Sequence, residues 1–174
     1  MFRKSSKGYT LLEIILVVAV IGILIGVVLP GFYKARKASA RFQAKSQFQQ
    51  LAMALENYQL EYGRYPSFLS ENPIKLTDPK VAQELMEALS AKKSALNERG
   101  IGFYSFSEKE YRNGVLLEGF NNPNIYIAVD NDGDGVIENE QMPTQDTKLH
   151  ANVAIFSLTS DGKKNDIENV YSWE

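Results

Sequence analysis

Gly8-Tyr9-Thr10-Leu11-Leu12-Glu13, with the apolar run behind it, decides how the rest of this 174-residue chain is read. From Leu11 to Leu29 the only charge is Glu13; every other residue is Leu, Ile, Val, Ala or Gly. At ~1.5 Å of rise per residue the run makes ~28 Å of helix, close to the hydrocarbon thickness of a bilayer. A helix satisfies its own backbone, so the segment can span alone. A plain signal anchor has the same hydropathy. It has no use for Glu13, since a carboxylate in such a segment costs on the order of 2.5–3.5 kcal/mol at the helix centre and less near the interface. A helix that must pair that charge with another group does have a use for it.

The flanks narrow the reading. Met1 to Gly8 is a short basic leader with Arg3, Lys4 and Lys7. A secretory signal carries a small-residue cleavage site after its apolar region; here that place holds Val28-Leu29-Pro30-Gly31-Phe32-Tyr33. Basic leader, Gly8, aromatic Tyr9, Thr10-Leu11-Leu12-Glu13 and an apolar helix together resemble the start of type IV pilins and type II secretion pseudopilins. That resemblance implies cleavage by a membrane prepilin peptidase between Gly8 and Tyr9, N-methylation of Tyr9, and an assembly role for Glu13. The family usually has Phe where this chain has Tyr9. The resemblance covers about thirty residues here.

Charge is unevenly spread. Residues 1–45 hold eight Lys or Arg and one acid, whereas residues 46–174 hold eleven basic and twenty acidic residues, a balance of −9. A basic collar on an apolar helix suits anionic lipid head groups, and the acidic remainder argues against nucleic acid as a partner. Positive charge on the two flanks, three residues before the run and Lys34, Arg36, Lys37, Arg41 and Lys45 after it, is too balanced to set orientation. Only the resemblance places the N-terminus in the cytoplasm, the helix in the bacterial inner membrane as a single pass, and the head in the periplasm, or outside the cell for a pilus. The chain has no Cys, which excludes disulfides and thiolate-bound metals. Many type IV pilins close a C-terminal loop with a disulfide and major pseudopilins commonly lack it, so the absence favours the latter.

Beyond Pro30-Gly31, where a membrane helix can bend, Lys34 to Leu60 is rich in good helix formers. Phe48, Leu51, Leu55 and Tyr58 fall on one face of it. Gly63 and Tyr65-Pro66 read as a stop. A helix from Thr10 to Leu60 would be ~75 Å long, apolar in its first half and amphipathic in its second. Asp78-Pro79 predicts an N-cap for a shorter helix carrying Val81, Leu85, Met86, Leu89 and Leu96, ended by Gly100 and Gly102. Strands are expected at 103–106, 115–117, 125–129, 153–158 and 169–173. The fold class is therefore α+β and pilin-like: leader 1–8, long helix 9–62 with a transmembrane part at 11–29, and a head at 63–174 whose antiparallel sheet covers the apolar face of the helix. Tyr58–Pro66 resembles the helix exit of major pseudopilins.

Asp130-Asn131-Asp132-Gly133-Asp134-Gly135-Val136-Ile137-Glu138 has carboxylates at alternate positions, a Gly for the sharp turn and an Ile two residues on. This is the ligand spacing of the first half of an EF-hand-like loop, here 130–141, and predicts Ca²⁺ held by Asp130, Asp132 and Asp134 with Glu138 or Glu140 closing the shell. Gln141 stands where a bidentate Glu would close an EF-hand. The alternative is a solvated acidic turn. A second acidic loop contains Asp161 and Asp166; Phe156 to Ile167 resembles the calcium loop near the C-terminus of major pseudopilins, and its alternative is an Asp-Gly turn between strands. His150 is the only histidine, and the chain has no Ser-His-acid set, phosphate loop or zinc spacing, so no enzymatic role is expected.

Three functions remain open at this point: a structural subunit of a type II secretion pseudopilus, most like its major pseudopilin; a type IV pilus subunit for adhesion, motility or DNA uptake; and a calcium-binding ectodomain on a simple anchor. The first two imply copies of the same chain, minor pilin-like subunits, the peptidase and an inner-membrane assembly platform as partners. Gly8-Tyr9 and Glu13 oppose the third.

Overall fold

The computed structural model describes residues 8–142, 148–159 and 169–173. Residues 1–38 and 39–174 form two units, each taken by itself. The first helix, α1 (Leu11–Tyr62), continues through Pro30-Gly31 and contributes to both. In the first unit the described side chains from Leu11 to Arg36 are exposed, Leu11, Ile15, Val18 and Leu24 among them. An 18-residue window of α1 has a mean hydropathy of 3.1, enough in length and composition to cross a membrane. A helix apolar on every side and exposed at its described positions is suited to lipid or to other helices.

In the second unit α1 becomes one-sided. Ala44, Phe48, Leu51, Ala54, Leu55 and Tyr58 are buried, at the three- and four-residue steps that line one face. Phe42, Met53 and Leu60 on the other face are exposed. The helix ends where Gly63 N–H bonds the Gln59 carbonyl at 2.7 Å. Tyr58 then donates to the Leu96 carbonyl at 2.5 Å and Tyr62 to Asn97 Oδ1 at 2.8 Å, tying the following segment to its last turns.

The second helix, α2 (Pro79–Leu89), starts as expected. Asp78 accepts from Lys80 N–H at 2.9 Å and Pro79 opens the first turn. It buries Ala82, Leu85, Ala88 and Leu89 but stops at Leu89, short of the expected Leu96 to Gly100. Side chains end it. Ser90 Oγ bonds the Met86 carbonyl, Ser94 Oγ takes that of Glu87 at 3.1 Å, and the fully buried Asn97 holds the Ser90 and Ile101 carbonyls at 2.9 and 2.7 Å. Ser and Asn compete in this way with the helical ladder.

Among the described residues, eight short strands pair antiparallel in three sheets: β1 (Ile74–Lys75), β2 (Tyr111–Arg112), β3 (Val115–Leu116), β4 (Ile125–Val129), β5 (Ile137–Glu138), β6 (Lys148–Leu149), β7 (Val153–Ser157) and β8 (Val170–Tyr171). The main sheet has the order β1-β4-β7-β8, with Ile127 opposite Ile155. Alternation along β4 and β7 makes two cores. Ile125, Ile127, Val129, Val153 and Ile155 pack with the buried face of α1. Ala128, Ala154 and Phe156 pack with Ile137 and Met142 beside the β5–β6 pair. β2 and β3 close a hairpin over Asn113-Gly114, both at positive φ. The loop after β3 presses on α1. A Cβ at Gly119 would run into the Ala40 carbonyl oxygen, so only Gly lets the two backbones approach this closely.

The expected strand at 103–106 is a loop. Phe103 and Tyr104 both donate their N–H to the Leu89 carbonyl, at 2.8 and 3.0 Å, so neither is available for a ladder. Their rings serve as core instead; Phe103 meets Tyr58 edge-on at 5.4 Å.

Candidate functional site

Gly8 and Tyr9 precede α1 outside regular secondary structure, both exposed, with Tyr9 80% exposed. Glu13 lies in the first turn. Thr10 Oγ1 accepts from Glu13 N–H at 3.3 Å while Glu13 Oε2 accepts from Thr10 N–H at 3.4 Å. This reciprocal pair is a capping box, a use for Thr10-x-x-Glu13 that the reading of the bare sequence missed although the spacing announces it. The cap occupies one carboxylate oxygen and donates no charge to offset the other. It places Glu13 at the positive end of the helix dipole and within one turn of Tyr9, which suits a carboxylate there.

The acidic loop follows β4. Asp130 is buried, 3% exposed, and its two oxygens accept from Gly133 N–H and Gly135 N–H, each at 2.8 Å. Burial pushes its carboxyl up, and the hydrogen bonds from Gly135 and Gly133 outweigh this and hold it below the usual range. Gly133 and Gly135 stand at φ +79° and +80°, conformations that let the backbone curl round the carboxylate. Asp132 and Asp134 each accept from an N–H two residues on, at 3.2 and 2.7 Å. Ile137 then pairs with Leu149.

The structure adds a residue from elsewhere. Glu71, from the loop before β1, brings a carboxylate oxygen to within 4.8 Å of those of Asp130 and Asp132. Burial, then the charges of Asp132, Asp130 and Asp134, raise its carboxyl, against a hydrogen bond from the Glu138 backbone. Asp134, Glu138 and Glu140 are outside that group of three, and Glu138 pairs instead with Lys148 at 2.9 Å. Nothing in the sequence spacing could have found Glu71, some sixty residues upstream. The donors are all carboxylate oxygens, the hard ligands that Ca²⁺ takes. The second predicted loop, with Asp161 and Asp166, lies outside the described residues.

Tyr65 links this loop to α1. Its phenol is 5% exposed and has no hydrogen-bond partner among the described residues. Burial, then the charges of Glu56 and Asp130, push its hydroxyl up to about 12. A buried, unpaired hydroxyl costs ~1–3 kcal/mol. Tyr65→Phe is therefore expected to leave thermal stability unchanged or raise it by up to about 1 kcal/mol. A loss of more than that would show that the hydroxyl has a partner. His150, by contrast, is exposed beside the loop.

Residues 3–29 match the family described as the prokaryotic N-terminal methylation motif. The chain is similar to type IV major pilin protein PilA of Myxococcus xanthus, 36% identical over 70 residues that cover 40% of this chain and 32% of the relative. It is also similar to type II secretion system core protein G of Klebsiella michiganensis, 34% identical over 84 residues, covering 48% of this chain and 59% of the relative. Core protein G of Pectobacterium carotovorum is 35% identical over 79 residues, covering 45% and 51%. The chain thus spans between 32% and 59% of the length of these curated relatives. No solved structure matches it.

Proposed function

We propose that this member of the pilin and pseudopilin family is a structural subunit of a pseudopilus in type II protein secretion. The observation that carries the reading is the N-terminal motif at residues 3–29, with Gly8-Tyr9 just before α1 and Glu13 in its first turn, α1 being apolar and long enough to span. Cleavage after Gly8 frees the amino group of Tyr9, which is then methylated. The subunit enters the inner membrane with its N-terminus cytoplasmic and its head in the periplasm. The prepilin peptidase, the assembly platform and minor pilin-like subunits are its partners, and α1 carries it into a filament of its own copies. The similarity to several core G proteins supports the pseudopilus, and that to the M. xanthus PilA supports the second reading, a type IV pilus. In the head, the loop 130–141 binds Ca²⁺ through Asp130, Asp132 and Asp134, with Glu71 closing the shell where Glu138 and Glu140 were expected to.

Mass spectrometry of the membrane-extracted protein tests the processing. The expected product begins at Tyr9 with one added methyl group. A chain that keeps Gly8 and everything before it, in cells with an active prepilin peptidase, removes the basis of both filament readings.

A further inference from the structure

An Asn or Asp followed by Gly carries a latent reaction, because no side chain shields the Gly nitrogen from the carbonyl carbon of the preceding side chain. In a folded chain the reaction needs a nitrogen that is free and a backbone that can turn. Among the described residues three such pairs occur: Asn113-Gly114, Asp132-Gly133 and Asp134-Gly135. All three glycines stand at positive φ, +81°, +79° and +80°, so their conformation does not tell them apart.

Their hydrogen bonds do. Gly133 N–H and Gly135 N–H each donate at 2.8 Å to an oxygen of the buried Asp130 carboxylate. A charge-assisted bond of this kind fixes the direction of the nitrogen and holds its proton. The carbonyl carbons they would have to attack are held too, since Asp132 accepts from Asp134 N–H at 3.2 Å and Asp134 from Val136 N–H at 2.7 Å. Asn113-Gly114 has none of these restraints. Asn113 is exposed, and neither its side chain nor Gly114 N–H has a hydrogen-bond partner among the described residues. The pair forms the two-residue turn between β2 and β3, where the ladder is closed by the flanking residues and the second turn nitrogen is left over. That ladder is only Tyr111 opposite Leu116 and Arg112 opposite Val115. A ribbon so short is marginal by itself and opens locally without unfolding the head.

We propose that Asn113 is a self-modifying site, which reacts with the Gly114 nitrogen when the β2–β3 hairpin opens. The nitrogen attacks Asn113 Cγ and gives up its proton, the new C–N bond closes a succinimide ring, and the side-chain amide leaves as ammonia. Water then adds to either imide carbonyl and yields aspartate or isoaspartate. Aspartate keeps the length of the turn and adds a negative charge. Isoaspartate routes the backbone through Cγ and lengthens a turn that holds two residues, so Arg112 and Val115 lose their register. The turn also lies on the start of α2, where a Cβ at Gly114 would come within 3.4 Å of Pro79 Cβ. The chemistry does not depend on assembly into filaments.

Full-length, detergent-solubilised protein held at mildly alkaline pH tests the site, in native buffer and in urea. Peptide mapping reads the mass gain of amide loss, and an isoaspartyl carboxyl methyltransferase labels isoaspartate. The Asn113 peptide is expected to react first, at a native rate within about tenfold of its rate in urea. The peptide holding Asp132 to Gly135 is expected to be labelled at least tenfold more slowly in native buffer than in urea. Asn113→Gln, whose longer side chain would need a larger ring, should lose both signals. Asn113→Asp, which keeps the turn, should lose the mass gain and be labelled more slowly. Suppression at Asn113 as deep as that at the two Asp sites would mean that the turn protects it, and the proposal falls. It falls equally if another Asn reacts faster in the native protein, or if the mass gain persists in Asn113→Gln.

Discussion

Glu13→Ala is expected to insert, to be cleaved after Gly8 and to accumulate in the membrane, yet to yield filaments reduced a hundredfold or more. The hypothesis is that the carboxylate pairs in the membrane with the Tyr9 amino group of a neighbouring subunit. Losing one partner of a buried pair costs ~3–5 kcal/mol, because the other charge stays behind uncompensated. The structure supplies a competing account: the reciprocal bonds with Thr10 make Glu13 a helix cap. The two differ in size and in partner. A cap contributes ~0.5–2 kcal/mol and depends on the Thr10 hydroxyl, so Thr10→Ala should cost the cap while sparing the intersubunit pair. Filament yield for Thr10→Ala near normal, beside its collapse in Glu13→Ala, is the expected result. Equal losses in the two variants, or normal filaments from Glu13→Ala, would show that the charge does no more than start the helix.

The second large effect is expected from calcium. Millimolar Ca²⁺ should raise the thermal unfolding temperature of the detergent-solubilised protein by about 5–10 °C. That follows from ~2.7 kcal/mol at a hundredfold excess over the dissociation constant and ~2–4 °C per kcal/mol for a chain of this size. Mg²⁺ should do much less, since it keeps its waters and wants a tighter octahedral shell. Glu71→Gln is the informative variant. It alters neither the spacing within the loop nor the hydrogen bonds that shape it, and on this reading it removes a ligand. Asp132→Ala should behave likewise. If the calcium shift survives both substitutions and disappears in Asp161→Ala or Asp166→Ala, the ion belongs to the C-terminal loop. If Ca²⁺ and Mg²⁺ act alike on the wild type, residues 130–141 form an acidic turn.

How far the fold could be read from the chain depends on how local its causes are. The buried face of α1 was legible because Phe48, Leu51, Leu55 and Tyr58 keep a helical step over three turns. β4 and β7 were legible because five-residue runs of β-branched and aromatic residues have few other uses. β1, β5 and β6 were not. Ile-Lys, Ile-Glu and Lys-Leu carry no periodicity, and each becomes a strand because a partner lies beside it. The overrun of α2 and the false strand at 103–106 share one cause. The Leu89 carbonyl is claimed by Phe103 and Tyr104, and Asn97 gathers the turn between them. Such a hub is invisible to propensity, which counts neighbours along the chain. The acidic loop shows the same division: its own spacing announces it, whereas Glu71 arrives through the fold.

Trp173, the one tryptophan, packs edge-on against Phe156 at 5.9 Å and tilted against Tyr171 at 5.2 Å. The same indole borders the groove that Gly135 and His150 line at the base of the acidic loop. The unlabelled protein therefore holds a single indole fluorophore, distinct from its nine tyrosines, where the outer layer of the sheet meets the rim of that loop. Its emission reads the packing of Phe156 and the state of the groove together.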